Sequence, residues 1–169
     1  MKRGVLALSA MLLLLAGGCT GKYTLSGASI PPDAKTFSVE YFPNNAPMVA
    51  PILSATLTDE LTQRFATRTR LVQVPEGGDF AFEGEIVSYT STTSSVASGD
   101  YALQNRLTIT VKVNFTNAVD DKASFKARSF SAYADYDSTK LLTEVEGTLI
   151  PEIVDQLVTD IFMAAASNW

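Results

Sequence analysis

LTITVKVNFTN, residues 107–117, alternates without a break. Leu107, Ile109, Val111, Val113 and Phe115 fall on one side, and Thr108, Thr110, Lys112, Asn114 and Thr116 on the other. Successive side chains of a strand point to opposite faces, so the run predicts a half-buried strand with an apolar face to cover and a polar face for water. A helix, with its period of about 3.6, would spread both sets around its whole circumference. The chain must therefore build a sheet with something packed on one side.

The neighbouring segments supply the rest of that sheet and its cover. Thr36 to Tyr41 alternates, with Phe37, Val39 and Tyr41 opposed to Ser38 and Glu40, and is broken by FPNNAP. From about Pro51 the period becomes helical, with Leu53, Leu57, Leu61 and Phe65 on one stripe. After PEGG, residues 75–78, the run Asp79 to Tyr89 places Phe80, Phe82 and Ile86 on one face and Glu83, Glu85 and Tyr89 on the other; Gly84 marks a bulge or a close contact. STTSSVASGD, residues 91–100, reads as a polar loop and AVDDK, residues 118–122, as a hairpin turn. The next strand carries Phe125, Ala127, Phe130 and Tyr133, and its slip in parity predicts a bulge.

The C-terminal segment is helical again, with Leu149, Ile150, Ile153, Val154, Leu157, Ile161 and Ala165 on its stripe and Phe162 and Trp169 extending it. Gly147 and Pro151 should bend or split this helix, since proline removes a main-chain donor. The expectation is an α+β fold in the order β-α-β-β-β-α. It has a single sheet of about four strands, mixed or antiparallel, with both helices packed on one face.

Ahead of this domain stands a different kind of sequence. Lys2 and Arg3 precede an apolar run from Val5 to Ala16, and Ala16, Gly17 and Gly18 lead into Cys19. That is the layout of an export signal, too short for a helix that crosses the hydrocarbon core in about 20 residues. The segment is similar to a bacterial lipobox, except that Ala16 stands where leucine is commoner. Cys19, the only cysteine, is then the lipidation site of the mature chain; the alternative is a small residue near an ordinary cleavage site. Two or more acyl chains give stable attachment to a bilayer. The expected organisation is a signal peptide over 1–18, a lipidated tether over 19–34 and one domain over 35–169.

Lys2 and Arg3 lie in the signal, so of 13 basic and 18 acidic residues the remainder carries 11 against 18, a formal charge of −7. Nucleic acid is an unsuitable partner for such a chain. The absence of histidine removes imidazole from any nucleophilic triad and from the usual zinc motifs. Neither catalytic nor metal-ligating residues are assigned, and no cofactor is expected. Glu83 and Glu85 stand roughly 6.5–7 Å apart on one strand face, the spacing of some glycosidase pairs, but adjacent surface acids ordinarily serve solubility. Asn114 opens a formal glycosylation sequon inside the best strand, where it is discounted.

The uncovered polar sheet face is the most informative feature. Thr108, Thr110, Lys112 and Asn114 line it, with Arg106, Lys126 and Arg128 nearby. Either it is an ordinary solvated face or it is a docking surface for a partner or an anionic ligand.

Several segments taken together resemble the LptE family of lipopolysaccharide-assembly lipoproteins: GASIPPDAKTFSVEYFPNNAP at 27–47, FEGEIVSY at 82–89, NRLTITVKVNFTN at 105–117, YADYD at 133–137 and VTDIFMAAASNW at the C-terminus. The resemblance implies a non-enzymatic outer-membrane subunit that plugs and helps assemble a large β-barrel partner, LptD, and binds lipopolysaccharide. Arg106, Lys112, Lys126 and Arg128 are then phosphate-contact candidates on physical grounds. The lack of acid at Thr20, Gly21 and Lys22 favours the periplasmic face of the outer membrane. A stand-alone lipid-anchored periplasmic glycolipid-binding module remains the alternative.

Overall fold

The computed structural model describes residues 30–94 and 103–166. The segment expected to be a signal peptide, Cys19, the first part of the expected tether and Trp169 lie outside the described residues. The elements are β1 (Thr36–Val39), α1 (Leu53–Arg68), β2 (Val72–Gln73), β3 (Phe80–Ser94), β4 (Gln104–Asn117), β5 (Phe125–Asp137) and α2 (Leu142–Ala166). They form one mixed sheet in the order β2-β1-β3-β4-β5. β1 runs parallel to β2 and β3, while β3, β4 and β5 form an antiparallel meander.

The α+β class, the two helices on one face and the element order agree with the sequence reading, with five strands rather than about four. The additional strand, β2, is two exposed residues at the sheet edge, too short to carry a periodic signal. β3 also continues through Ser94, so the segment assigned to a polar loop starts as strand. Threonine and serine suit an exposed strand face as well as a loop, and composition alone did not separate them.

The core lies between the helices and one face of the sheet. Leu53, Leu57, Leu61 and Phe65 of α1 are fully buried, as are Leu107, Ile109, Val111 and Val113 of β4. Phe65 joins the layers, its ring centroid 4.6 Å from Phe82, 5.8 Å from Phe37 and 5.0 Å from Phe162. α1 has Ile52 at its N-cap, no side-chain cap and no acid in its first turn, so packing rather than local propensity holds it. Outside the core, Arg64 ties the helices together, donating to Asp155 Oδ1 at 2.6 Å and Thr159 Oγ1 at 2.9 Å.

Two local details differ from the sequence reading. The bulge in β3 falls between Ile86 and Ser88, not at Gly84, and it returns Tyr89 to the core face. Ile86 is bonded on its other side as well, donating to the Pro43 carbonyl and accepting from Asn45 N–H, so the register shift adjoins a second pairing. Of the two readings of Gly84, the close contact holds: a Cβ there would collide with the Phe42 ring and the Lys112 carbonyl. Nor is the C-terminal helix split, for α2 is continuous from Leu142 to Ala166 with Pro151 inside it. Pro151 and Gly147 are on the exposed side, where packing of the opposite stripe carries the helix through.

The bulge expected in β5 is present. Val113 pairs with Arg128 and Phe115 with Phe125, so β5 holds one extra residue, and Ala127 takes up the distortion at φ 49°. Beyond it the core residues are Phe130, Ala132, Ala134 and Tyr136, whereas Tyr133 is 49% exposed on the other face. The expected alignment of Phe130 with Tyr133 is therefore corrected.

Candidate functional site

Among the described residues, no helix packs on the second face of β3–β4–β5. The sheet register places Ser88, Thr90 and Thr92 of β3 beside Thr110, Thr108 and Arg106 of β4, which face Ser131, Tyr133 and Asp135 of β5. Thr108, Thr110, Lys112 and Asn114 occupy this face as the alternation requires. The hydroxyl row on β3 was missed because the bulge after Ile86 inverts the parity of that strand's distal half.

Much of the face is committed to itself. Arg106 donates from Nε to Asp135 Oδ1 at 2.7 Å and from a terminal nitrogen to Oδ2 at 2.8 Å. Its guanidinium also lies 3.7 Å from the Tyr133 ring centroid. The hydrogen bonds of this pair hold the Asp135 carboxyl below, and the Arg106 guanidinium above, their ordinary pKa values. Thr110 and Ser131 hydroxyls share a hydrogen bond of 3.0 Å, and Asn114 Oδ1 accepts from the Ala127 N–H at 2.8 Å. Asn114 thus supports the bulge.

The remaining cations separate. Lys112 is exposed opposite Glu85, with no ion pair to it within 4.0 Å. Lys126 is exposed in the bulge opposite Asn114. Arg128 is not on this face: it pairs with core-facing Val113 and lies 5.4 and 5.3 Å from the Phe125 and Phe130 ring centroids, on the helix side of the edge strand. The bulge is the physical reason, since one extra residue reverses the parity of all that follow. Arg106, Lys112, Lys126 and Arg128 therefore do not converge on one anion site.

A shallow depression of about 550 Å³ opens at the β1 side of the face, lined by Glu40, Tyr41, Glu83, Glu85, Lys112 and Asn114 among others. Three carboxylates against one ammonium repel phosphate rather than gather it. Glu85 accepts from Asn45 Nδ2 at 2.7 Å, and nothing in the lining activates a nucleophile. Among the described residues no group of three or more potential metal ligands comes together. No helix among them is long and apolar enough to cross a membrane.

The family model described as LptE, lipopolysaccharide-assembly, matches residues 34–165. No curated protein matches the sequence. Among solved structures, protein CT253 of Chlamydia trachomatis is similar at 11% identity and a TM-score of 0.53, covering 80% of this chain and 99% of that one. XCC0632 of Xanthomonas campestris has 13% identity and a TM-score of 0.51 over 79% of this chain and 87% of that one. A minor lipoprotein of Acinetobacter baumannii has 16% identity and a TM-score of 0.48, over 78% and 94%. At identities this low the first two speak to the fold alone, whereas the family match runs from just before β1 to the last turn of α2. On that match the chain belongs to the LptE family, whose description is lipopolysaccharide assembly.

Proposed function

We propose that the protein is an outer-membrane lipoprotein, anchored through acylated Cys19, which plugs a large LptD-like β-barrel and assists its assembly for lipopolysaccharide transport. The observation that carries this reading is the open face of β3–β4–β5, polar, internally bonded and left bare by both helices. The interior of a large barrel is hydrated and polar, so a plug needs a rigid polar surface rather than an apolar one. Thr108, Thr110, Lys112 and the Arg106–Asp135 pair supply that surface on strands whose other side is fixed in the core. Lipopolysaccharide contact is local on this reading, through Lys126 at the bulge rather than a basic cluster, since Lys112 stands among three carboxylates. Attachment through Cys19 keeps the domain at the membrane that holds the barrel.

Affinity purification of the tagged full-length lipoprotein from detergent-solubilised membranes tests the proposal, with mass spectrometry of the bound proteins and the N-terminal peptide. A stoichiometric outer-membrane barrel and an acylated Cys19 are expected. An acylated monomer without a barrel would instead support the solitary glycolipid-binding module.

A further inference from the structure

The two edges of the sheet differ. β2 offers two residues at one edge, while β5 offers 13 at the other. Between Ser129 and Tyr136 the backbone of β5 pairs with β4, and the Tyr133 carbonyl accepts from Gln156 Nε2 at 3.4 Å; no other described group bonds to the backbone of that stretch, whose side-chain bonds from Ser131, Asp135 and Tyr136 all run back to β3 and β4. Edge strands are ordinarily blunted by proline, charge or a bulge. Here the middle of the edge, Ser129 to Ala134, reads SFSAYA, with neither proline nor charge, and the bulge lies outside it.

The charges sit at the two ends of this strand. Lys126 and Arg128 are at one end; at the other stand Asp137, which is in no ion pair among the described residues, and Asp135, which is already paired with Arg106. Nine residues of rise separate Lys126 from Asp135 by roughly 30 Å, well beyond a Debye length of about 8–10 Å, so each end acts separately. A second copy laid antiparallel on this edge, with its two-fold axis near Ser131 and Ala132, would bring the basic end of each chain alongside the acidic end of the other. Small side chains would meet at the centre. A parallel copy would oppose like charges.

We infer that the β5 edge is a self-association surface, on which two copies of this chain extend their sheets antiparallel when no other partner occupies it. One edge-to-edge pairing buries less than a standard interface, so the dimer is weak and reversible. It is also salt-sensitive, because its orienting charges are exposed.

Oxidative cross-linking of the mature acylated lipoprotein in detergent at low salt tests the inference. Ser131→Cys places thiols near the two-fold axis, Thr148→Cys on the exposed side of α2 controls for random collision, and the parent chain controls for Cys19. The Ser131→Cys protein should give a disulfide-linked dimer, at several times the yield of either control. Lys126→Glu should reduce that yield about fivefold, the scale of exposed charge pairs acting twice, and Lys126→Glu with Asp137→Lys should restore it. Failure to cross-link, equal yield from Thr148→Cys, insensitivity to Lys126→Glu, or capture of a different protein by Ser131→Cys would each overturn self-pairing. The assay contains no barrel, so its outcome is independent of the plug reading.

Discussion

Arg106 and Asp135 face each other across the β4–β5 register in a bidentate pair at 2.7 and 2.8 Å, with Tyr133 stacked beneath the guanidinium. A guanidinium so engaged has little left for a phosphate. Arg106→Ala is therefore expected to leave the affinity for a phosphorylated glycolipid within about twofold, while Asp135→Asn, which releases the guanidinium, should raise it several-fold. Titration of the two variants with the same glycolipid distinguishes them, and a large loss with Arg106→Ala would show the arginine to be a direct contact.

Two glycines should respond in opposite directions. At Gly84 an added methyl meets the Phe42 ring and a main-chain carbonyl at 2.5 Å or less, so Gly84→Ala should destabilise by about 1–3 kcal/mol. At Gly147, inside α2, an added methyl meets nothing within 4 Å, and Gly147→Ala should stabilise by about 0.5–1 kcal/mol through helix propensity. Urea unfolding of the two single variants measures both signs.

Tyr89, returned to the core by the β3 bulge, donates its hydroxyl to Glu146 Oε1 at 2.7 Å. Burial raises the phenol pKa above its ordinary value, and the Glu146 carboxylate raises it further, so the hydroxyl remains a donor throughout the physiological range. Tyr89→Phe should cost about 1.5–3 kcal/mol, because it leaves a half-buried carboxylate without this bond. In the background of Glu146→Ala the same change should cost clearly less, which a double-mutant cycle in urea resolves.

Asp79 fastens the start of β1 to β3. Its Oδ2 accepts from the Lys35 and Thr36 N–H groups at 2.8 and 2.9 Å and from the Thr36 hydroxyl at 3.0 Å. These bonds hold its carboxyl below the ordinary value of 3.8, led by the one from Lys35. A depressed folded-state pKa gives stability that is present above the unfolded value and lost as pH falls through the folded one. The urea midpoint should therefore fall below about pH 4, with Asp135 and Asp137 contributing in the same direction. Asp79→Asn should lower the midpoint at pH 7 and flatten the acid limb; an unchanged limb would exclude Asp79 from it.

The periodic segments of this fold were legible in the sequence because each has one face in the core. Leu107 to Phe115 and Leu53 to Phe65 give unbroken periods of two and about four, and both became the elements they describe. Two bulges hid the rest. A single extra residue, after Ile86 in one strand and near Ala127 in the other, reverses the parity beyond it and moves Tyr89, Tyr133 and Arg128 to the faces opposite those expected. Period alone does not reveal such an insertion, since the residues on either side each alternate correctly. The pairing of Arg106 with Asp135 was hidden for another reason: it depends on cross-strand register, which is fixed only when β4 and β5 are laid together.

Whether the open sheet face meets a barrel wall can be read by site-specific photocross-linking in intact cells. A photoreactive residue at Thr110 is compared with one at Thr148 on the exposed side of α2. Thr110 should be captured by a large outer-membrane β-barrel protein at several times the yield from Thr148. Capture only from Thr148, or from neither position while the lipoprotein remains acylated and folded, would contradict it.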